Sequence, residues 1–321
     1  MIGKSIFTLI LVLIGTAYLY AQKQPAASIE TILTEAEKQT ANYQEAFKNL
    51  LAIETKTFEE YGKDGEVKNQ SVVESNFLVY QSSKNAKISS ELRSVIKVDG
   101  KPVPDSAERS NRFFEELQKT TTLRSELEKI QKEGNRYDKT LIVDGVTLYE
   151  GLVLSDSLRP VFDFKLLGTE SYDGHDVYVV SYLQTKKSPF ISLNEKSKGS
   201  DNVSNNLVLD FDFDLPKSLK NADAFLNGKL WIDTQTFQIR REERFLTVNT
   251  ENPVVILETV LEYQPSSFEI LVPKRISLLN NQIRSKDDKN MVTKDIKVDF
   301  EYSEFKKSET DVKILDDTPD K

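Results

Sequence analysis

Two hydrophobic periods alternate along this chain and predict one helix followed by β-hairpins. Ser28 precedes apolar residues spaced by threes and fours from Ile29 to Leu50, which is typical of a capped helix with one buried face. From Leu51 the period changes to two. A turn at 62–65 then joins this strand to a second one over 66–81, and a third strand, 87–98, ends in Asp99-Gly100, a common hairpin turn.

The rest of the chain continues this alternation with fewer helices. Asp105 begins a predicted capping box and a helical region that ends at Gly134, with Phe113, Phe114 and Leu117 on its buried face. A short helix is predicted over 216–227. Strands are predicted over 140–153, 162–170, 177–183, 229–233, 238–248, 254–263, 274–281 and 291–300. The fold class is therefore mainly β (α+β), a large antiparallel sheet with helices on one face.

The amino end carries the pattern of an export signal. Lys4 precedes an apolar run over 6–14, and small residues at 15–17 and Ala21 lead into a polar start at Gln22. The run is shorter than the roughly 20 apolar residues that span a bilayer. We therefore expect a signal peptide over 1–21, with an uncleaved anchor as the alternative. A single domain is expected over 22–305, with a helical insertion at 105–134 and a flexible charged tail over 306–321.

Composition excludes several classes of function. The chain has 43 Lys and Arg residues against 51 Asp and Glu residues, a net charge of −8, so its surface repels nucleic acid on average. It has no cysteine, which excludes disulfides, thiol catalysis, thiolate metal sites and lipidation at an N-terminal cysteine. We therefore expect a mature protein without an acyl anchor, whose core alone holds the fold.

Candidate catalytic and metal-binding residues are few. The single histidine, His175, follows a turn, and the chain lacks the Gly-x-Ser-x-Gly pattern of many serine hydrolases. The alternating carboxylates Asp210, Asp212 and Asp214 resemble a calcium site, but Leu215 stands where an EF-hand loop needs glycine. A strand with one wet face explains them better. We therefore predict no catalytic residue, no metal site and no cofactor.

One hairpin carries a family resemblance. A strand ending in Trp231-Ile232-Asp233, a short turn and a strand beginning with Ile-Arg-Arg-Glu at 239–242 are similar to the central hairpin of bacterial periplasmic lipoprotein carriers. That superfamily includes outer-membrane lipoprotein-sorting proteins and sigma-factor regulators. Segments 164–180 and 271–276 resemble further strands of the same proteins, whereas 105–134 looks like an insertion. The resemblance implies a strongly curved antiparallel sheet forming an incomplete barrel, with helices on the concave face and an apolar cavity for acyl chains.

Side-chain alternation predicts which residues line that concave face. Leu230 and Ile232 share one side of their strand, whereas Lys229, Trp231 and Asp233 share the other. Since Lys229 and Asp233 favour water, the first side should point inward and Trp231 outward. The complete predicted ligand wall, with an ordinary hydrophobic core as the alternative interpretation, is Phe77, Val79, Phe211, Phe213, Leu230 and Ile232.

Three hypotheses about function follow. The first is an exported, non-catalytic protein of the cell envelope, periplasmic in a Gram-negative source, that binds lipid, lipoprotein acyl chains or another apolar ligand and has no stable membrane span once mature. The second is an envelope interaction or sensing scaffold whose inserted helices bind a protein partner; an exposed face at Phe113 would favour it. The third is a hydrolase that uses His175.

Overall fold

The computed structural model describes residues 27–47, 50–81, 89–118, 122–138, 145–193, 209–211, 213, 215–219, 222–249, 253–286, 289–307 and 314–315. The predicted signal peptide lies outside these ranges. Three α-helices lie within them, Ile29–Ala46 (α1), Ser106–Gln118 (α2) and Arg124–Gly134 (α3). The strands, in chain order, are Leu50–Tyr61 (β1), Val67–Gln81 (β2), Ser89–Val98 (β3), Lys101–Pro102 (β4), Thr122–Leu123 (β5), Phe162–Tyr172 (β6), His175–Gln184 (β7), Ile191–Leu193 (β8), Leu209–Phe211 (β9), Ala224–Asp233 (β10), Ile239–Val248 (β11), Val254–Pro265 (β12), Leu271–Lys286 (β13), Lys289–Lys307 (β14) and Ile314–Leu315 (β15).

Eleven of these strands form one antiparallel sheet in the order β4-β3-β2-β1-β14-β13-β12-β11-β10-β7-β6. The sheet does not close, because β4 and β6 are its two edges. The mainly β fold predicted from the sequence, an incomplete barrel of antiparallel strands, is confirmed. Two residues of the predicted tail, Ile314–Leu315, pair with Thr122–Leu123.

Turn chemistry explains the hairpins. Asp99 and Gly100 both have positive φ, 50° and 74°, and so do Asp173 and Gly174, at 50° and 77°. Positive φ at both central residues gives a turn whose twist matches that of the strands it joins, and Asp-Gly adopts it at low cost. The predicted hairpins β3–β4 and β6–β7 are therefore confirmed.

Helix α1 begins as predicted. The Ser28 hydroxyl accepts a hydrogen bond from the backbone N–H of Thr31 at 3.2 Å, and Ile32, Leu33, Ala36 and Tyr43 are buried. Helix α2 also begins where expected, at Ser106. However, Asp105 has φ 56°, not the extended backbone of the predicted capping box.

Two predicted elements are wrong. The described part of the strand predicted over 140–153 instead forms 3₁₀ turns at Val146–Tyr149 and Leu152–Leu154, each preceded by a glycine with positive φ. The helix predicted over 216–227 is a 3₁₀ turn at Lys217–Leu219 followed by β10. Pairing with β7 and β11 extends β10 back to Ala224, so tertiary hydrogen bonding overrides the local pattern.

The pairing register defines one face of the sheet from end to end. A single row of directly paired residues crosses ten strands, and we call the face that carries this row the inner face. The row is Val98, Val73, Lys56, Phe300, Ile276, Leu261, Glu242, Leu230, Val180 and Leu166. Helix α1 and the 3₁₀ turns at 146–154 supply buried apolar side chains to the core on this face.

Candidate ligand-binding cleft

The predicted ligand wall lies within or against the main core of the inner face. Phe77, Val79, Leu230 and Ile232 have at most 1 % of their surface exposed. Phe211 and Phe213 are partly buried against the same core, with ring centroids 6.3 Å apart. The structure therefore brings the six residues into one hydrophobic cluster. Their contact with a ligand stays a prediction.

Trp231 lies on the opposite face, as its alternation predicts. It packs with Val177 and Val179 in a small separate cluster, and its indole N–H donates a hydrogen bond to Glu170 at 2.6 Å. The expectation that Asp233 is solvated is wrong. Its carboxylate is buried because it accepts hydrogen bonds from Arg240 Nε at 2.7 Å and from the backbone N–H groups of Gln235 and Thr236, which hold its pKa below the ordinary value against the effect of burial.

The inner face also carries buried charges that sequence reasoning missed. Arg93 donates from Nε and Nη2 to the two carboxylate oxygens of Glu54, at 2.7 and 2.9 Å, and from Nη2 to Glu91 at 2.8 Å. Glu91 in turn accepts hydrogen bonds from the backbone N–H and hydroxyl of Thr147. Lys56 donates to both carboxylate oxygens of Asp138, at 2.8 and 2.7 Å. Strands β1 and β3 are thus tied to each other and to the segment after α3.

A second buried group of polar side chains lies further along the sheet. Arg244 and the Tyr182 hydroxyl both donate to one carboxylate oxygen of Glu242, and the Gly151 backbone N–H donates to the other. The neighbouring Glu150 is also buried, and its Oε2 has no hydrogen-bond partner. Burial, reinforced by the charge of Glu242, raises the pKa of Glu150 well above its ordinary value. Burial therefore favours the neutral form of Glu150.

The alternation of side chains along β1 could have indicated that Glu54 and Lys56 are buried. Glu54 and Lys56 share the strand side of Ala52 and Phe58, so the register that buries the apolar pair also buries the charged pair. These two residues carry opposite charges two positions apart on one side of the strand. This local pattern does not show which residue forms the ion pair with either of them. Arg93 and Asp138, which make that burial tolerable, are distant in sequence.

A cleft of about 300 Å³ lies between β3 and the inserted helices. Its apolar lining comes from Val95, Phe113, Ile130 and Tyr137. The Ser110 hydroxyl of α2 lies 3.0 Å from that of Ser94, which points to the face of the sheet opposite to Arg93. Helix α2 therefore approaches β2 and β3 on that opposite face. The cleft thus belongs to the inserted helical region.

Helix α3 packs closely along β3 where the cleft forms. Strand β4 pairs only with Lys97 and Val98 of β3. A Cβ at Gly134 would lie 2.7 Å from the Arg93 carbonyl oxygen, so only glycine allows this approach. The end of α3 is therefore held against the backbone of β3 beside the cleft.

Charged side chains surround the apolar floor. Among the lining residues whose side chains are described, Arg109, Arg112 and Lys129 contribute three positive charges, and Glu133 contributes one negative charge. Arg109 Nη1 lies 3.8 Å from Glu133 Oε1, which also pairs with Arg136 at 3.2 Å. Arg93, which lines the cleft as well, is ion-paired with both Glu54 and Glu91 and is not counted among these charges. We call Arg109, Arg112, Lys129 and Glu133 the rim of the cleft. These four side chains carry a net positive charge on a protein whose net charge is −8.

The structure describes part of the α2 face formed by Phe113, Phe114 and Leu117, whose exposure was expected to distinguish binding of an apolar ligand from binding of a protein partner. Phe113 is buried, with 6 % of its surface exposed, and it lines the cleft. The side chains of Phe114 and Leu117 lie outside the described residues. At Phe113, therefore, the inserted helix turns its apolar side toward β3.

The residues considered for catalysis and metal binding are placed as follows. His175 begins β7, and its Nδ1 lies 3.0 Å from Arg240 Nη2 and 3.6 Å from Asp233 Oδ2. Asp212 and Asp214 lie outside the described residues. Within the described ranges, no group of three or more His, Asp or Glu side chains is arranged to hold a metal ion. No helix in the described part of the chain is both long and apolar enough to cross a membrane.

Comparison with known proteins gives similarity in structure only. No protein-family profile matches the chain, and no curated protein matches it in sequence. Among solved structures, the chain is similar to the LolA superfamily protein NE2245 from Nitrosomonas europaea, with 10 % identity, 88 % of this chain and 95 % of the other covered, and a TM-score of 0.35.

Two further similarities are of the same kind. A putative outer membrane lipoprotein-sorting protein domain from Vibrio parahaemolyticus has 9 % identity, coverage of 85 % and 94 %, and a TM-score of 0.32. The Pseudomonas aeruginosa MucA/MucB complex has 9 % identity, coverage of 84 % and 94 %, and a TM-score of 0.21. The predicted resemblance to lipoprotein carriers agrees with these matches, which give no residue role and no ligand to this chain.

Proposed function

We propose that this protein is an exported, non-catalytic binding protein of the cell envelope that takes up an apolar ligand, such as an acyl chain, in the cleft between β3 and helices α2 and α3. The observation that carries the proposal is the cleft itself, whose floor is made by Val95, Phe113, Ile130 and Tyr137. Its volume of about 300 Å³ is at the lower end of the range for small-molecule pockets, about 300–1,000 Å³.

The position of the cleft supports this function. The core of the inner face is packed with buried apolar and ion-paired side chains, and inserting an apolar chain there would separate pairs such as Lys56 and Asp138. The cleft needs no such change, because its apolar lining already faces an open volume. Binding at a preformed apolar site avoids the free energy of rearranging the protein. The inserted helical region of 105–134 is therefore the proposed ligand-binding element.

The experiment fills the cleft with a side chain. Ile130 is half-buried on the floor, and Ile130→Trp occupies the space that an acyl chain would use. Binding of radiolabelled dodecanol is measured by equilibrium dialysis of the full chain. We expect wild-type protein to bind and Ile130→Trp to bind at least about tenfold more weakly, a loss of about 1.4 kcal/mol. Val67→Trp is the matched control, because Val67 is an exposed apolar residue outside the cleft.

Each outcome decides a part of the proposal. Wild-type protein that binds neither dodecanol nor its carboxylate analogue dodecanoate overturns apolar ligand binding. Binding that is unchanged in Ile130→Trp overturns the cleft as its location and leaves the wall predicted from the sequence, around Phe77 and Ile232, as the site to test. Export is tested separately, by sequencing the amino end of the protein recovered from its native host, where a start near Gln22 is expected.

A further inference from the structure

We propose that the cleft selects single-chain carboxylates, with the chain on its apolar floor and the carboxylate at Arg109, Arg112 and Lys129. This inference rests on the proposed function and names the class of ligand. Its basis is the joint presence of an apolar floor and a positive rim in one cleft of about 300 Å³. A cleft of this size favours one chain over several.

The charges of the rim are available to a ligand. Arg112 and Lys129 are exposed, and neither is ion-paired with Glu133, the acidic lining residue whose side chain is described. Arg109, with 26 % of its side chain exposed, approaches Glu133 only at 3.8 Å, beyond hydrogen-bond distance. Glu133 is itself shared with Arg136. The rim therefore keeps an excess of positive charge that an incoming anion can neutralise.

The chemistry of these side chains favours a carboxylate. A guanidinium presents two parallel N–H groups that match the two oxygens of a carboxylate, and such paired bonds add orientation to the attraction between charges. Arg109 and Arg112 both reach the cleft from α2, and Lys129 reaches it from the facing helix α3. A carboxylate placed between the helices thus meets cations from two sides, whereas a cationic head group is repelled.

The rest of the molecule makes the rim distinctive. The chain carries eight more acidic than basic residues, yet the lining side chains that the structure describes comprise three cations and one carboxylate, apart from Arg93, which is ion-paired with Glu54 and Glu91. On a protein of negative net charge, a local positive site attracts anions that the remaining surface repels. We expect the rim to set which amphiphile enters and the floor to set how tightly its chain is held.

The test compares three probes with the same chain length: dodecanoate, dodecanol and dodecyltrimethylammonium. Binding to the full chain is measured by titration calorimetry at pH 8 and low ionic strength, below the micelle concentrations of the two charged probes and below the solubility limit of dodecanol. We expect dodecanoate to bind roughly tenfold more tightly than dodecanol, and dodecyltrimethylammonium to bind most weakly. The preference for dodecanoate should fall with added salt, because exposed charges are screened.

The matched variants separate charge from fold. Arg112→Ala combined with Lys129→Ala should weaken dodecanoate binding roughly tenfold and change dodecanol binding less than about twofold. Lys68→Ala combined with Lys274→Ala removes two exposed lysines outside the cleft and should change neither. Equal affinity for dodecanoate and dodecanol, or equal loss of both in the rim variant, overturns the selectivity and leaves the proposed function standing. Absence of binding by all three probes overturns both.

Discussion

Arg93 and Glu54 form a two-point ion pair inside the protein, with Nε and Nη2 of the arginine 2.7 and 2.9 Å from the two carboxylate oxygens. Both side chains are at most 1 % exposed, and Glu91 supplies a second carboxylate at 2.8 Å from Nη2. The charge of Arg93 lowers the pKa of Glu54 against the strong effect of burial, which raises it. The pair therefore keeps both groups ionised in a place where neither is stable alone.

Removing the arginine should be strongly destabilising. In Arg93→Met the carboxylates of Glu54 and Glu91 stay buried without their cation, and breaking a buried pair in this way costs about 3–5 kcal/mol. Urea unfolding followed by circular dichroism measures the loss. Lys97→Met, on the same strand, is the control: Lys97 pairs with Glu74 at 2.6 Å but is 46 % exposed, so its loss should be under about 1 kcal/mol. Equal losses in the two variants would contradict the burial of the Arg93 pair.

The raised pKa of Glu150 should make stability depend on pH. Its folded-state pKa is raised well above the ordinary value of 4.5, so the stabilisation linked to its protonation is complete below pH 4.5 and is lost as pH rises toward the folded pKa. Glu150→Gln keeps a neutral side chain and removes this dependence. The free energy of unfolding of Glu150→Gln relative to wild type should therefore increase between pH 5 and pH 8, by up to about 1.4 kcal/mol per pH unit.

The control for this measurement is Glu108→Gln, which removes an exposed carboxylate from α2. Its difference from wild type should stay nearly constant across the same range of pH. A flat difference for Glu150→Gln as well would show that Glu150 is ionised in the folded protein.

Trp231 should contribute to stability mainly through the hydrogen bond of its indole N–H and through the contact between its ring and the Arg241 guanidinium. Its Nε1 donates to Glu170 at 2.6 Å, and the guanidinium of Arg241 lies 5.3 Å from its ring centroid. Trp231→Phe loses the hydrogen bond and weakens the cation–π contact, so we expect a loss of about 1–2 kcal/mol by urea unfolding. Tyr172→Phe, which removes only the hydroxyl that donates to Glu262 at 3.1 Å, should cost about 1 kcal/mol or less. A larger loss of stability in Tyr172→Phe than in Trp231→Phe would contradict the contribution assigned to the Trp231 indole.

Ile232 tests the orientation of β10. Ile232 has none of its surface exposed and belongs to the main core, so Ile232→Asp buries an unpaired carboxylate and should cost several kcal/mol, about 3 or more. Lys229→Asp introduces the same group at an exposed position of the same strand and should leave the protein folded. Thermal unfolding compares the two. A fully stable Ile232→Asp protein would place Ile232 outside the core.

The sequence was most informative where structure depends on neighbours along the chain. Ser28 marks the start of α1 because its hydroxyl reaches the N–H of Thr31, three residues away. Asp99-Gly100 and Asp173-Gly174 mark hairpins because their positive φ values are intrinsic to the turn. The division of β10 into Ile232 inside and Trp231 outside also followed, since alternation needs only a strand and one known side.

Prediction failed where distant strands decide the outcome. The sequence predicts that residues 224–227 form the end of a helix. In the structure, the backbone N–H of Leu226 instead donates to the Gln184 side chain, and Asn227 lies opposite Leu183 of β7. The solvated position expected for Asp233 was wrong for a more local reason, because Arg240, on the next strand of the same hairpin, pairs with it. For residues 224–227, by contrast, the local sequence does not contain the partners Gln184 and Leu183.

The sequence by itself determined the mainly β fold, the hairpin turns, the first helix and the sides of β10, because each depends on local backbone preferences and on a period of two or 3.6 residues. Only the tertiary structure decided that Glu54, Lys56, Glu91 and Arg93 are buried among their partners and that the described cleft lies beside β3. A buried charge is tolerated only next to an opposite charge, and a cleft exists only between elements that meet in space. Both depend on pairs of residues far apart along the chain.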